Sequence, residues 1–144
     1  MNTMRLARKD RSVLGRRGQA LVEFALILPL LLILVFGIIE FARAWNQYQV
    51  LTDAAREAAR TAVIDNPTMT QDSVQGVIQA ALTRARMDYS SATVTLTGWR
   101  AGRGTLAEVQ IEYPFTFTWL KPFLAWSDAA ASITLTTRFV MRNE

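Results

Sequence analysis

Gln19-Ala-Leu-Val-Glu-Phe-Ala-Leu-Ile-Leu-Pro-Leu-Leu-Leu-Ile-Leu-Val-Phe-Gly-Ile-Ile39 decides how this chain of 144 residues is read. Ala20 to Ile39 is 20 residues, about 30 Å as a helix, the thickness of a bilayer's hydrocarbon core. Glu23 is its one charged residue, and the run is apolar on every face. A core helix of a soluble protein needs only one apolar stripe. Just before the run, Met1 to Gly18 carries Arg5, Arg8, Lys9, Arg11, Arg16 and Arg17 against Asp10, a net of +5. Gln19 to Glu144 carries 10 basic and 11 acidic side chains, a net of −1. The overall charge of +4 and the pI near 10.1 therefore describe a short tail. Nucleic acid, the usual partner of a basic chain, loses its support. A cationic flank before an apolar span instead sets the N-terminus in the cytoplasm and sends the rest across.

Three processing schemes compete for this segment. A secretory signal peptide would be cut after Ala42-Arg43-Ala44, which has the small-x-small form. Against it, the apolar core from Phe24 to Ile39 is long, and Glu40 and Arg43 crowd the cut. Arg16-Arg17 suggests a twin-arginine signal, but its Gly and Gln neighbours do not suit one.

The third scheme comes from a resemblance. Arg16-Arg17-Gly18-Gln-Ala-Leu-Val-Glu23-Phe24 and the apolar run resemble the leader of the type IV pilin superfamily. There a basic leader ends in Gly, an aspartyl prepilin peptidase cuts after it, and a Glu stands fifth in the product. More narrowly, Gly18, Glu23, Pro29, Gly37 and Glu40, in a block running to about Arg60, resemble the TadE-like proteins, pseudopilins of the tight-adherence (Flp) pilus machinery. The resemblance implies cleavage between Gly18 and Gln19, with Phe24 and Pro29 as recognition and helix context. It implies that Glu23 meets the N-terminal amine of a neighbouring subunit, neutralising both charges and setting axial register. A mature chain beginning with Gln19 fits the TadE-like pattern, whereas many other type IV pilins begin with Phe. The resemblance also implies the partners: a prepilin peptidase, other pilins or pseudopilins, and the pilus assembly platform.

The residues allow a second account of each feature. A carboxylate in hydrocarbon is costly and seeks a partner, but Glu23 also lies near enough to the cytoplasmic interface to reach the headgroups. Pro29 removes one backbone hydrogen bond and favours a kink, which membrane helices tolerate. That kink is either a hinge for leaving the bilayer or a bend without consequence.

Past Ile39 the pattern turns amphipathic without a break. Phe41, Ala44, Tyr48, Leu51, Ala55, Ala58 and Ala62 recur at spacings of three and four, a single stripe. The Ala-rich stretch Ala54 to Ala62 favours helix, and Asn66-Pro67 is a sensible stop. The stripe is expected to pack on a sheet, with sister helices or a coiled-coil dimer as the alternative. One helix is thus expected over 19–66, transmembrane at about 20–39 and amphipathic at about 40–64, after a leader at 1–18.

Residues 67–144 read as an extracytoplasmic helix-and-sheet domain. Thr70 to Arg86 places Val74, Val77, Ile78, Ala81 and Ala85 on one face, with Thr70 or Asp72 as N-cap. Thr93 to Thr97 then alternates with period two. Ala107, Val109, Ile111, Tyr113, Phe115, Phe117 and Trp119 stay in phase, and Ile133, Leu135 and Phe139 do so again. Pro114 suggests an edge strand or a bulge. The expected fold is α+β and pilin-like: a long N-terminal helix on an antiparallel sheet of about three strands, plus a second short helix.

The chemistry for catalysis is missing. With no His and no Cys, zinc, haem, thiol and His-based sites lose their usual ligands and bases. Lys121 is too solitary to act as a base, and Asp65, Asn66 and Asp72 read as helix caps. Gly98 to Gly104 lacks the Lys-Ser/Thr ending of a phosphate loop. No catalytic, metal or cofactor site is expected, and neither a small-molecule substrate nor nucleic acid. The Trp99, Arg100 and Arg103 loop reads as a solvated hairpin loop. Trp119 to Trp126, apolar for a connection, is either a loop folded over the sheet's open edge or a docking patch for a partner subunit or the membrane face. The expected function is a minor pseudopilin of a tight-adherence pilus, single-pass in the cytoplasmic membrane with the C-terminal domain outside. The alternative is a signal-anchored membrane protein carrying an extracytoplasmic binding module.

Overall fold

The computed structural model describes residues 11–64, 70–124 and 132–143, with side chains from Gly18 onward. Its dominant element is α1, Arg11–Val63, 53 residues without interruption, about 80 Å long at the helical rise. From Leu21 to Ile39 most of its large apolar side chains are exposed, and Leu28, Leu32 and Phe36 are half-buried. Among the described residues this is the one helix long and apolar enough to cross a membrane, and none of its apolar window is buried. The stop expected at Asn66-Pro67 lies outside the described residues.

The other described elements gather around the C-terminal half of α1. The second helix α2, Gln71–Arg84, is opened by Thr70, whose hydroxyl accepts from the Ser73 N–H while the Ser73 hydroxyl accepts from the Thr70 N–H. That capping box uses Thr70, and Asp72 sits inside the first turn as an acid near the helix's positive end. Val74, Ile78 and Leu82 are the fully buried residues of α2, while Ala85, expected on the same face, is exposed. A short 3-10 turn at Tyr89–Ser91, capped by the Asp88 carboxylate on the Ser90 N–H, leads into the sheet.

Three antiparallel strands follow in meander order: β1 Thr93–Thr97, β2 Leu106–Thr116 and β3 Ser132–Arg142. The register runs Thr93↔Glu112 to Thr97↔Glu108 on one side of β2 and Leu106↔Arg142 to Thr116↔Ser132 on the other. The apolar phase of β2 is the buried one: Ala107, Val109, Ile111, Tyr113 and Phe115. Pro114, expected on an edge strand or at a bulge, lies on the middle strand of the sheet but at a point where that strand is itself an edge. It is tolerated because β1 ends opposite Glu112, so β2 has a neighbour on only one side at that point. In β3 the phase Ile133, Leu135, Phe139 contains Thr137, buried and bonded to the Thr52 hydroxyl of α1 at 3.3 Å.

α1 packs across β2 and β3, and α2 lies against α1. The contact face is Leu51, Ala54, Ala55, Ala58, Ala59 and Ala62, all nearly or fully buried. Alanines let the helix axis approach the sheet closely, so the larger Val109, Ile111 and Tyr113 fill the space between. Each fully buried Leu, Ile or Phe here is worth about 1.5–3 kcal/mol relative to exposure. The stripe expected on the sheet is corrected at its lower end: Phe41 is 70% and Tyr48 40% exposed. They stack on either side of Trp45 along the free face of α1, at ring separations of 6.2 Å each.

The β1–β2 loop is closed by the C-terminal end of β3. Asn143 Nδ2 donates to the Gly98 carbonyl at 2.9 Å and to the Thr105 hydroxyl at 2.7 Å, while Gly104 N–H donates to the Asn143 carbonyl. Gly98 sits at φ +70, where a Cβ would fall 2.1 Å from the Leu106 carbonyl oxygen. Gly98→Ala is accordingly expected to cost more than the roughly 1–2 kcal/mol of a left-handed conformation alone. Thermal unfolding in detergent checks this, and an unchanged midpoint contradicts it.

Candidate functional site

Gly18, Gln19, Glu23, Phe24 and Pro29 lie along one exposed stretch of α1, remote from the buried core. The peptide between Gly18 and Gln19 is inside the helix, which begins at Arg11. Gln19 Nε2 donates to Glu23 Oε1 at 3.0 Å across one turn, so the two residues singled out for cleavage and register touch. A Cβ at Gly18 would meet nothing within 4 Å; the fold itself does not require a glycine there. Phe24 is 56% exposed. Pro29 is exposed, and α1 continues through it although the Ala25 carbonyl loses its usual N–H partner. Together they form an apolar rod bearing one carboxylate near its start and continuing unbroken into a soluble stripe of alanines. Residues 18–60 match the family model of TadE-like proteins. The TadE-like stretch starts on Gly18 and ends within the alanine face; α2 and the whole sheet lie beyond it. No curated protein and no solved structure matches the chain.

The TadE-like stretch contains a second carboxylate that sequence reasoning left without a role. Glu40, the first residue after the apolar run, is 1% exposed. Its Oε1 accepts the backbone N–H groups of both Thr118 and Trp119, and its Oε2 accepts Arg43 Nη1, each at 2.5 Å. The Arg43 guanidinium also lies 5.4 Å over the Phe115 ring. Glu40 thus fastens the chain leaving β2 to the flank of α1. The strand ends at Thr116, so the expected phase through Trp119 is corrected. Phe117 turns its ring edge-on to Phe115 at 5.4 Å. Trp119 leaves the sheet and stacks on Phe36 of α1 at 6.1 Å and 11°. The short helix α3, Lys121–Leu124, then brings Phe123 to 5.9 Å from the same ring. Trp126 lies outside the described residues. A sequence signal for Glu40 did exist: a Glu three positions before an Arg at the mouth of an apolar helix.

Burial acts to raise the Glu40 carboxyl, but the Trp119 and Thr118 N–H groups and the Arg43 guanidinium outweigh it and hold the group below the ordinary carboxylate range. Because the folded value is the lower one, its contribution is complete above the unfolded carboxyl's value and is lost as pH falls through the folded one. Acidification from neutral pH should therefore loosen residues 117–123 first, read as faster proteolytic nicking there. Glu40→Gln should lose that pH dependence.

Among the described residues no group of His, Cys, Asp and Glu is placed to hold a metal ion. Arg100 lies over the Trp99 ring at 5.0 Å, within the loop clamped by Asn143.

Proposed function

We propose that this chain is a TadE-like pseudopilin of a tight-adherence pilus system, anchored by one membrane span in the cytoplasmic membrane with its helix-and-sheet domain outside. The match over residues 18–60 carries this reading, because it begins at the residue the leader resemblance places before the cut. The span-length apolar face of α1 supports the anchor, and the +5 tail supports a cytoplasmic N-terminus. In this reading a prepilin peptidase removes residues 1–18. The new α-amino group of Gln19 then lies one turn from Glu23, and a neighbouring subunit's carboxylate or amine completes the ion pair in lipid. Other pilins and the assembly platform are the partners, and the protein has a structural role rather than an enzymatic one.

Sequencing the N-terminus of the protein recovered from membranes tests this directly. Gln19 is the expected first residue; Trp45 would instead mean a secreted domain, and an intact Met1 a signal-anchored binding module. Glu23→Ala should be cut normally, since the cut is set by Gly18, yet assemble pili poorly. Immunoblots for processing and pilus counts by electron microscopy check the two halves; normal piliation would remove the register role.

A further inference from the structure

Trp119, Lys121, Pro122 and Phe123 form a surface that the pilus reading does not use. Phe36, which the Trp119 and Phe123 rings meet, belongs to the apolar run, three residues before its end at Ile39. At the helical rise, Phe36 lies about 4.5 Å inside that end. Both rings therefore sit at the depth of the span's last turn, although they come from a segment more than eighty residues later. Trp119 remains 53% exposed, and Lys121 and Pro122 are exposed beside it. Ile38 and Ile39, on the same last turn of the apolar run, are exposed as well. On the other flank, a cleft that runs along α1 from Ile39 to Gln47 is lined by Arg86, which puts that guanidinium alongside the first turns past the apolar run. The two backbone N–H groups that lipid would leave unsatisfied are taken by Glu40.

We infer that the Trp119–Phe123 segment is a monotopic membrane insertion. Its rings lie at the headgroup–acyl boundary of the leaflet facing the C-terminal domain, and Lys121 and Arg86 meet the lipid phosphates. Trp is suited to that layer because its ring is apolar and its indole N–H seeks a polar partner. Lysine reaches phosphate from an apolar stem. The occupant is lipid, not a protein partner, because the depth of the surface is fixed by its stacking on a residue of the span. This rests on the reading of α1 as a membrane span.

The test uses the full chain in vesicles of phosphatidylcholine and phosphatidylglycerol, with lipids brominated near the glycerol backbone or near the chain end. A variant carrying Trp45→Phe, Trp99→Phe and Trp126→Phe leaves Trp119 as the fluorophore. Its emission should be blue-shifted and roughly halved by the shallow bromines, with less effect from deep ones. The matching variant that retains only Trp99 should be unaffected. Unquenched, red-shifted Trp119 emission overturns the insertion, and unquenched but blue-shifted emission assigns the surface to protein instead. Stronger quenching by deep bromines overturns the boundary position. Alkaline carbonate extraction of the same vesicles separates the two levels of inference. Retained protein with unquenched Trp119 sinks only the insertion, whereas extracted protein sinks the span and the insertion together. Should the triple variant misfold, the absence of Cys allows Pro122→Cys and Thr95→Cys in the otherwise unaltered chain. An impermeant maleimide should label the first several-fold more slowly than the second in vesicles and equally in denaturant; equal rates in vesicles overturn the proposal.

Discussion

Gly18→Ala is expected to leave the fold intact and abolish removal of the N-terminal eighteen residues. Two observations make this separable from a folding defect. A Cβ at Gly18 has open space around it, and alanine is favoured over glycine in a helix by about 1 kcal/mol. The variant should therefore melt at the same temperature or slightly higher, while immunoblots show the full-length species and piliation is lost. A peptidase acting on a bond inside α1 must unwind that turn, and glycines at 15 and 18 make unwinding easier. Gly15→Ala separates the causes. If unwinding alone matters, it slows processing as much as Gly18→Ala does; if the cut needs a residue without a side chain, Gly15→Ala is processed nearly normally. Normal maturation of Gly18→Ala contradicts the leader assignment.

Glu40→Ala is the second large effect, and it acts on stability. It removes the acceptor for two backbone N–H groups and for Arg43. Breaking a buried charge pair costs about 3–5 kcal/mol when the orphaned partner stays buried. Arg43 is 39% exposed and Thr118 and Trp119 are at the surface, so the orphaned groups regain some water. A loss of about 2–3 kcal/mol is the expected result, with Glu40→Gln smaller because its amide oxygen keeps one acceptor. Thermal unfolding in detergent and nicking after Thr116 check it; a variant as resistant as the wild type would show that the stacking of Trp119 on Phe36 holds the segment unaided.

The long apolar helix was legible because its run is apolar on every face, and the buried phase of β2 was legible because alternation survives from Ala107 to Phe115. The errors share a cause. Periodicity reveals which face of an element is apolar but not how far its partner extends. The stripe through Phe41 and Tyr48 continues below the buried face of α1, which runs only from Leu51 to Val63, about 18 Å of helix. Trp119 keeps the phase of β2 after the strand has ended. The Glu40–Arg43 pairing could be read from spacing, but the clamp on Thr118 and Trp119 could not: these partners are main-chain N–H groups 78 and 79 residues away, and backbone donors leave no mark in a sequence. Of the candidate site, the touching pair Gln19 and Glu23 followed from spacing alone, since four residues is one helical turn.

The unbroken course of α1 from Arg11 to Val63 ties azimuth to sequence. Each residue of an α-helix turns the chain by about 100° and lifts it by about 1.5 Å. The compass bearing of the sheet is therefore fixed relative to that of Glu23, with no swivel between them. A residue added between Arg43 and Val50 would swing the whole helix-and-sheet domain through more than a quarter circle while barely changing its height. Any neighbour that grips both ends of this molecule must match its angular phase as well as its length.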